Sequence, residues 1–239
     1  MAPAAAGRHF SAMATPRLTN TTILGQLGEI LIDIRTGHPQ ESVPTVLICP
    51  GMFPPFAERL ARAGFTAISF NVSGSGVDAA GRVSDPARFG PTSFSTEVAD
   101  VGTVLAALDG GELGVPRPSS VGLVGHSRGG GIATLAAAGN ERIAALVTWA
   151  AIATVAESLS IEAAAARVRA PWLIVHGDAD ETVPMADANR LGAANPAAER
   201  MVVVGAGHTF GAVPPFAALT PALEQVFDGS VRFLSRHLS

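Results

Sequence analysis

The chain contains no lysine and no tyrosine, so all 16 cationic side chains among its 239 residues are arginines. Without lysine there can be no Ser–Lys dyad, no pyridoxal Schiff base and no P-loop. Without tyrosine, no phenol can donate to an oxyanion. The single cysteine, Cys49, rules out an intramolecular disulfide and gives no sign of an oxidising compartment. Charge is also sparse: 15% of residues are Asp, Glu or Arg, the formal net charge is −4, and no run of one sign stands out. Neither a nucleic-acid groove nor a polybasic membrane contact is expected. No apolar run is long enough to span a bilayer, and MAPAAAGRHFSAMATPRL lacks the continuous apolar core of a secretory signal, so a cytoplasmic setting is the expectation.

With 48% hydrophobic residues, the chain is long enough to bury about 70–75% of its unfolded surface. One domain over residues 18–239 is expected, preceded by a loose Ala-, Gly- and Pro-rich arm over 1–17. Short apolar runs alternate with helix-like segments. Strands are predicted in GEILIDIR (28–35), TVLICP (45–50), FTAISFNV (65–72), SVGLVGHS (120–127), IAALVTWAA (143–151), WLIVHG (172–177) and RMVVVGAG (200–207). The intervening segments and the end of the chain, residues 221–238, read as helices. This pattern implies an α/β fold with a mostly parallel central sheet flanked by helices on both faces.

Within that pattern, Gly125-His126-Ser127-Arg128-Gly129 fits G-x-S-x-G, with an apolar strand before it and an Ala-rich helix after it. A serine at such a strand-turn-helix corner needs small neighbours, because side chains there would strike the sheet or the helix. A glycine-rich turn at a helix N-terminus can also serve as an anion site, so the segment alone leaves two readings open. The downstream strand ends decide between them, since parallel sheets gather functional loops at the carboxyl ends of their strands. Asp178 and Asp180 follow one strand and His208 follows the next.

In the order Ser127, Asp, His208, and in the motifs GHSRGG, HGDADETVP and GAGHTF, the chain resembles the alpha/beta-hydrolase superfamily from about residue 28 to its end, in the dienelactone-hydrolase-like and serine-aminopeptidase-like branch. In those families the acid stands three residues after the glycine of H-G-x-x-D-x-x-V-P, which falls on Asp180 and leaves Asp178 as a turn brace. The resemblance implies a catalytic triad of Ser127, Asp180 and His208. The oxyanion hole would be made from the backbone N–H groups of Arg128 and Met52, although relatives carry His-Gly where this chain has Cys49-Pro50-Gly51. His126 and His176 have no Cys or further close His to complete a ligand set, so neither a metal nor an organic cofactor is expected.

Only about twenty residues separate the WAA strand end from PWLIVHG, too few for a cap domain. Segment 153–170 is the one candidate excursion over the site. Phe53, Phe56, Phe89, Trp149, Ile152 and Phe210 are candidates to line an apolar acyl pocket, and loop 73–91 and the PPF stretch at 214–216 are candidate specificity elements. The expected activity is that of a carboxylesterase on small to medium acyl esters. Aminopeptidase or amide hydrolase, dienelactone-type lactone hydrolase and a ligand-binding receptor on the same fold are the alternatives.

Overall fold

The structure, a computed structural model, describes residues 15–49, 53–76, 92–155, 160–213 and 218–238. The segment 1–14, Met52, Phe89, most of loop 73–91 and the PPF stretch lie outside the described residues. The strands are β1 (Arg17–Gly25), β2 (Gly28–Thr36), β3 (Thr45–Cys49), β4 (Thr66–Phe70), β5 (Val121–His126), β6 (Ile143–Trp149), β7 (Trp172–Gly177) and β8 (Glu199–Val203). The helices are α1 (Pro54–Arg62), α2 (Phe94–Gly110), α3 (Arg128–Ala137), α4 (Ile161–Ala165), α5 (Met185–Ala194) and α6 (Pro221–His237).

All eight strands join in one sheet in the order β1-β2-β4-β3-β5-β6-β7-β8. The β1–β2 and β2–β4 pairings are antiparallel, and every other pairing is parallel. Strands β3, β5 and β7 are buried along their whole length, as expected of parallel strands covered on both faces. The first strand is an addition to the sequence reading. Its RLTNTTILG is largely exposed at a sheet edge and too polar to register as an apolar run.

The two faces of the sheet are packed differently. Under α2, α3, α4 and α5 the core is mostly aliphatic, with Ile32, Leu47, Leu123, Ile132 and Leu191 beside the two aromatics Phe70 and Trp172. Under α1 and α6 it is aromatic, built on Phe56, Trp149, Phe227 and Phe233. Phe56 and Trp149 meet edge to face with centroids 4.7 Å apart, and Trp149 stacks on Phe227 at 5.7 Å. The indole N–H of Trp149 donates to Ser230 Oγ at 2.9 Å, which satisfies the one polar group this ring takes into the core.

This packing corrects part of the sequence reading. Phe56, Trp149 and Phe210 have their side chains buried in the core under α1 and α6 and do not line an open acyl pocket. The reason is α6, whose apolar stripe of Leu223, Val226, Phe227 and Phe233 needs large partners on that face of the sheet. Likewise, α4 does not arch over the site. It packs against α3 and α5, burying Ile161, Ala164 and Ala165. The described β6–β7 connection thus contains a short helix and no cap domain, and no described helix is long and apolar enough to cross a membrane.

Candidate active site

Ser127 sits between the end of β5 and the first residue of α3 with φ 56° and ψ −122°, a left-handed geometry that non-glycine residues rarely adopt. The glycines around it are there for space. A Cβ on Gly125 would strike the Gly129 carbonyl, and one on Gly130 would lie 2.5 Å from the Ala151 Cβ. The strained corner is held by Ser127 N–H donating to the Trp149 carbonyl at 2.9 Å and by Gly130 N–H donating to the Ser127 carbonyl at 3.0 Å. The Ser127 hydroxyl does not cap its own helix, which leaves Oγ available to a partner across the turn.

That partner is His208. Its Nε2 lies 2.9 Å from Ser127 Oγ, and its Nδ1 lies 2.9 Å from Asp180 Oδ2. A carboxylate can only accept, so Nδ1 carries the proton and the Nε2 lone pair faces the serine hydroxyl. Asp180 Oδ1 accepts from the backbone N–H groups of Thr182 and Val183, both at 2.9 Å. Burial alone would raise the Asp180 pKa, but the Val183 N–H, His208 and the Thr182 N–H outweigh it and hold the carboxyl below its usual value. Asp178 is turned away from this chain of bonds, and its Oδ1 accepts from Gly205 N–H at 2.6 Å. The structure therefore brings together Ser127, His208 and Asp180 of the sequence-predicted residues.

Arg128 follows the serine as the first residue of α3, so its backbone N–H has no acceptor within the helix. Its side chain reaches back to α2. Nε and Nη2 engage the Glu97 carboxylate at 3.0 and 2.8 Å, and the guanidinium carbon lies 3.9 Å from the centre of the Phe94 ring. Glu97 is buried, so this fork supplies the cation that its carboxylate requires. The sequence reading missed the clamp. Its signal was a Glu on the α2 stripe that also carries Val101, Val104 and Leu108.

Among the predicted lining residues, Phe53 and Ile152 stand near the serine. Phe53 has φ 68° at the start of α1, and its ring meets His126 edge to face at 5.4 Å. Ile152 is half-buried beyond β6, and its N–H donates to the Ser127 carbonyl at 3.4 Å. His126 and His176 are buried and bond backbone carbonyls through Nε2, of His208 and Val183 respectively, each at 2.9 Å. Among the described residues no cluster of three or more His, Cys, Asp or Glu could hold a metal ion.

The class defined by this fold is the alpha/beta hydrolase without a large cap. Residues 35–238 match the model of the dienelactone hydrolase family, and the chain belongs to that family. No curated protein matches it. Solved structures share its fold at low identity. A dienelactone hydrolase from Anabaena variabilis superposes with TM-score 0.75 at 19% identity, covering 95% of this chain and 100% of that one. A serine hydrolase without lid from Xanthomonas campestris gives TM-score 0.64 at 20% identity, covering 92% and 95%. A puromycin-hydrolysing peptidase from Mycobacterium tuberculosis gives TM-score 0.76 at 15% identity, covering 98% of this chain but 41% of its own.

Proposed function

We propose that this hydrolase is a serine carboxylesterase acting on small to medium acyl esters. The observation that carries the reading is the unbroken chain from Ser127 Oγ through His208 to Asp180, with both links at 2.9 Å. His208 Nε2 takes the Ser127 proton as Oγ attacks the ester carbonyl, and the same proton is returned to the leaving alkoxide. Asp180 holds the imidazole in the required tautomer and stabilises the imidazolium that forms. The Arg128 N–H, and by position the Met52 N–H, stabilise the oxyanion. Water then hydrolyses the acyl-enzyme by the reverse use of the same groups, with no metal or organic cofactor taking part.

A site without a cap suits compact acyl groups, and the half-buried Ile152 supplies apolar surface beside the serine. Membership of the dienelactone hydrolase family favours cyclic esters as a second substrate group, opened by the same steps. The lone, buried thiol of Cys49 fits the reducing setting of the cytoplasm. The test is hydrolysis of p-nitrophenyl esters from acetate to octanoate, together with a simple lactone, by the wild type and Ser127→Ala at pH 7–8. Turnover by the wild type alone supports the reading, with the highest kcat/KM at short chains. Equal turnover by both proteins, or by neither, removes it.

A further inference from the structure

The loop that carries His208 turns tightly, with Phe210 N–H donating to the Gly207 carbonyl and Ala212 N–H to the Thr209 carbonyl, each at 3.0 Å. It reads GAGHTFG, with Gly205 and Gly211 at φ 71° and 82° and Phe210 at φ 54°. The Asp180 bond holds the ring from one side, and among the described residues no backbone N–H donates to the His208 carbonyl. That carbonyl is tied down by His126, the last residue of β5, which directly precedes Ser127.

The Nε2 of His126 lies 2.9 Å from the His208 carbonyl oxygen, which can only accept, so Nε2 carries the proton. The two imidazole rings also touch, with centroids 4.8 Å apart and planes at 47°. On another side the Phe53 ring meets His126 edge to face. Among the described residues His126 Nδ1 is buried with no hydrogen-bond partner, and Nε2–H makes the one hydrogen bond of this ring. Burial, opposed by the bond to His208, lowers the His126 pKa to about 4, and the ring is neutral at the pH of hydrolysis.

We propose that His126 is a positioning residue for the general base: its Nε2–H bond to the His208 carbonyl fixes the imidazole of His208 opposite Ser127, so that one residue joins the nucleophile turn to the base loop. The proposal rests on the triad reading above. Misplacing a reacting group by about 1 Å costs on the order of a hundredfold in rate, and the His126 bond is the one support that acts on the His208 residue's own carbonyl among the described residues.

The experiment compares the wild type with His126→Leu, His126→Asn and His126→Gln. The Gln amide reaches where Nε2 sits, whereas the Asn amide falls short and Leu has no donor. Two quantities are read on protein shown to be folded by circular dichroism: the low-field proton resonance of the His208 Nδ1–H facing Asp180, and the second-order rate of labelling by a serine-directed fluorophosphonate. In Leu and Asn the resonance should broaden or vanish and labelling should slow about a hundredfold. Gln should keep the resonance and label within about threefold of the wild type.

A folded Leu or Asn variant with both readouts unchanged overturns the proposal. So does a Gln variant that falls as far as Leu, because packing alone would then account for the loss. If Leu does not fold, Asn against Gln decides. Failure of the wild type to label at all would remove the serine hydrolase reading, and the resonance comparison would still settle whether His126 positions His208.

Discussion

The loops carrying Asp180 and His208 leave neighbouring strands and meet through several hydrogen bonds, among them Asp180–His208, Asp178–Gly205 and Ala179–Ala206, but the two catalytic candidates are held differently. The Asp180 loop is largely fixed by residues within it. The carboxylate accepts from the N–H groups two and three residues ahead, Asp180 N–H returns to the Gly177 carbonyl at 3.3 Å, and His176 at the base of the loop bonds Val183. The His208 loop closes turns of its own, Phe210 N–H to the Gly207 carbonyl and Ala212 N–H to the Thr209 carbonyl, and is held further from outside. Asp178 holds Gly205, Ala179 N–H donates to the Ala206 carbonyl at 3.1 Å, His126 holds His208, and the Thr220 hydroxyl donates to the Phe210 carbonyl at 2.5 Å. The Asp180 carboxylate is thus positioned by local chain geometry, and the His208 loop adds to its own turns contacts that exist only in the folded sheet. On the proposed reading, the serine depends on a base that distant parts of the chain help to aim.

The largest effects belong to the residues at the centre of that contrast. Ser127→Ala should lower kcat by about 10⁴- to 10⁶-fold, and Asp180→Ala by about 10⁴-fold. Asp178→Ala removes one of several outside supports of the base loop, and kcat should fall no more than about tenfold. Steady-state kinetics at equal folded-protein concentration measures all three. Comparable losses at Asp178 and Asp180 would erase the distinction between acid and brace.

A smaller effect appears in stability against pH. His126 is held neutral in the folded chain down to about pH 4, while in the unfolded chain it takes up a proton near its ordinary value of 6.5. Between these values the unfolded state binds more protons, so stability falls as pH drops from 6.5 towards 4, by about 3 kcal/mol from this group. Asp180, with its pKa held below the usual value, adds a loss in the same direction below about pH 4. Urea unfolding between pH 4 and 7 should show that slope in the wild type and a shallower one in His126→Gln. Equal slopes would mean that His126 is not buried as described.

The smallest expected effect concerns the oxyanion side. Arg128→Leu keeps the backbone N–H but leaves Glu97 buried without its cation, at a cost of about 2 kcal/mol because the arginine head is partly in water. A drop in Tm of about 5 °C should follow, with kcat per folded molecule changed less than tenfold. A loss of activity without a loss of stability would mean that the guanidinium itself touches the substrate.

The same division between local and distant information decided what the sequence could show. The buried strands β3, β5 and β7 announce themselves as apolar runs, and the serine corner by its glycines, because local sterics dictate both. Asp180 was legible for the same reason: its acceptor geometry is written into the seven residues from Gly177 to Val183. The role of Trp149 was not, because whether an aromatic at a strand end faces a pocket or the core depends on α6, more than seventy residues on. The Arg128–Glu97 clamp and the His126–His208 bond were hidden likewise, since they join residues 31 and 82 positions apart. Strand β1 escaped because an exposed edge strand needs no apolar pattern.

The most direct test of the central claim is intact-mass analysis after incubation with a fluorophosphonate, followed by peptide mapping. One adduct per chain, located on Ser127 and absent from Ser127→Ala and strongly slowed in His208→Ala, is the predicted result. No adduct on the wild type, or an adduct that persists when Ser127 is replaced, would contradict the account.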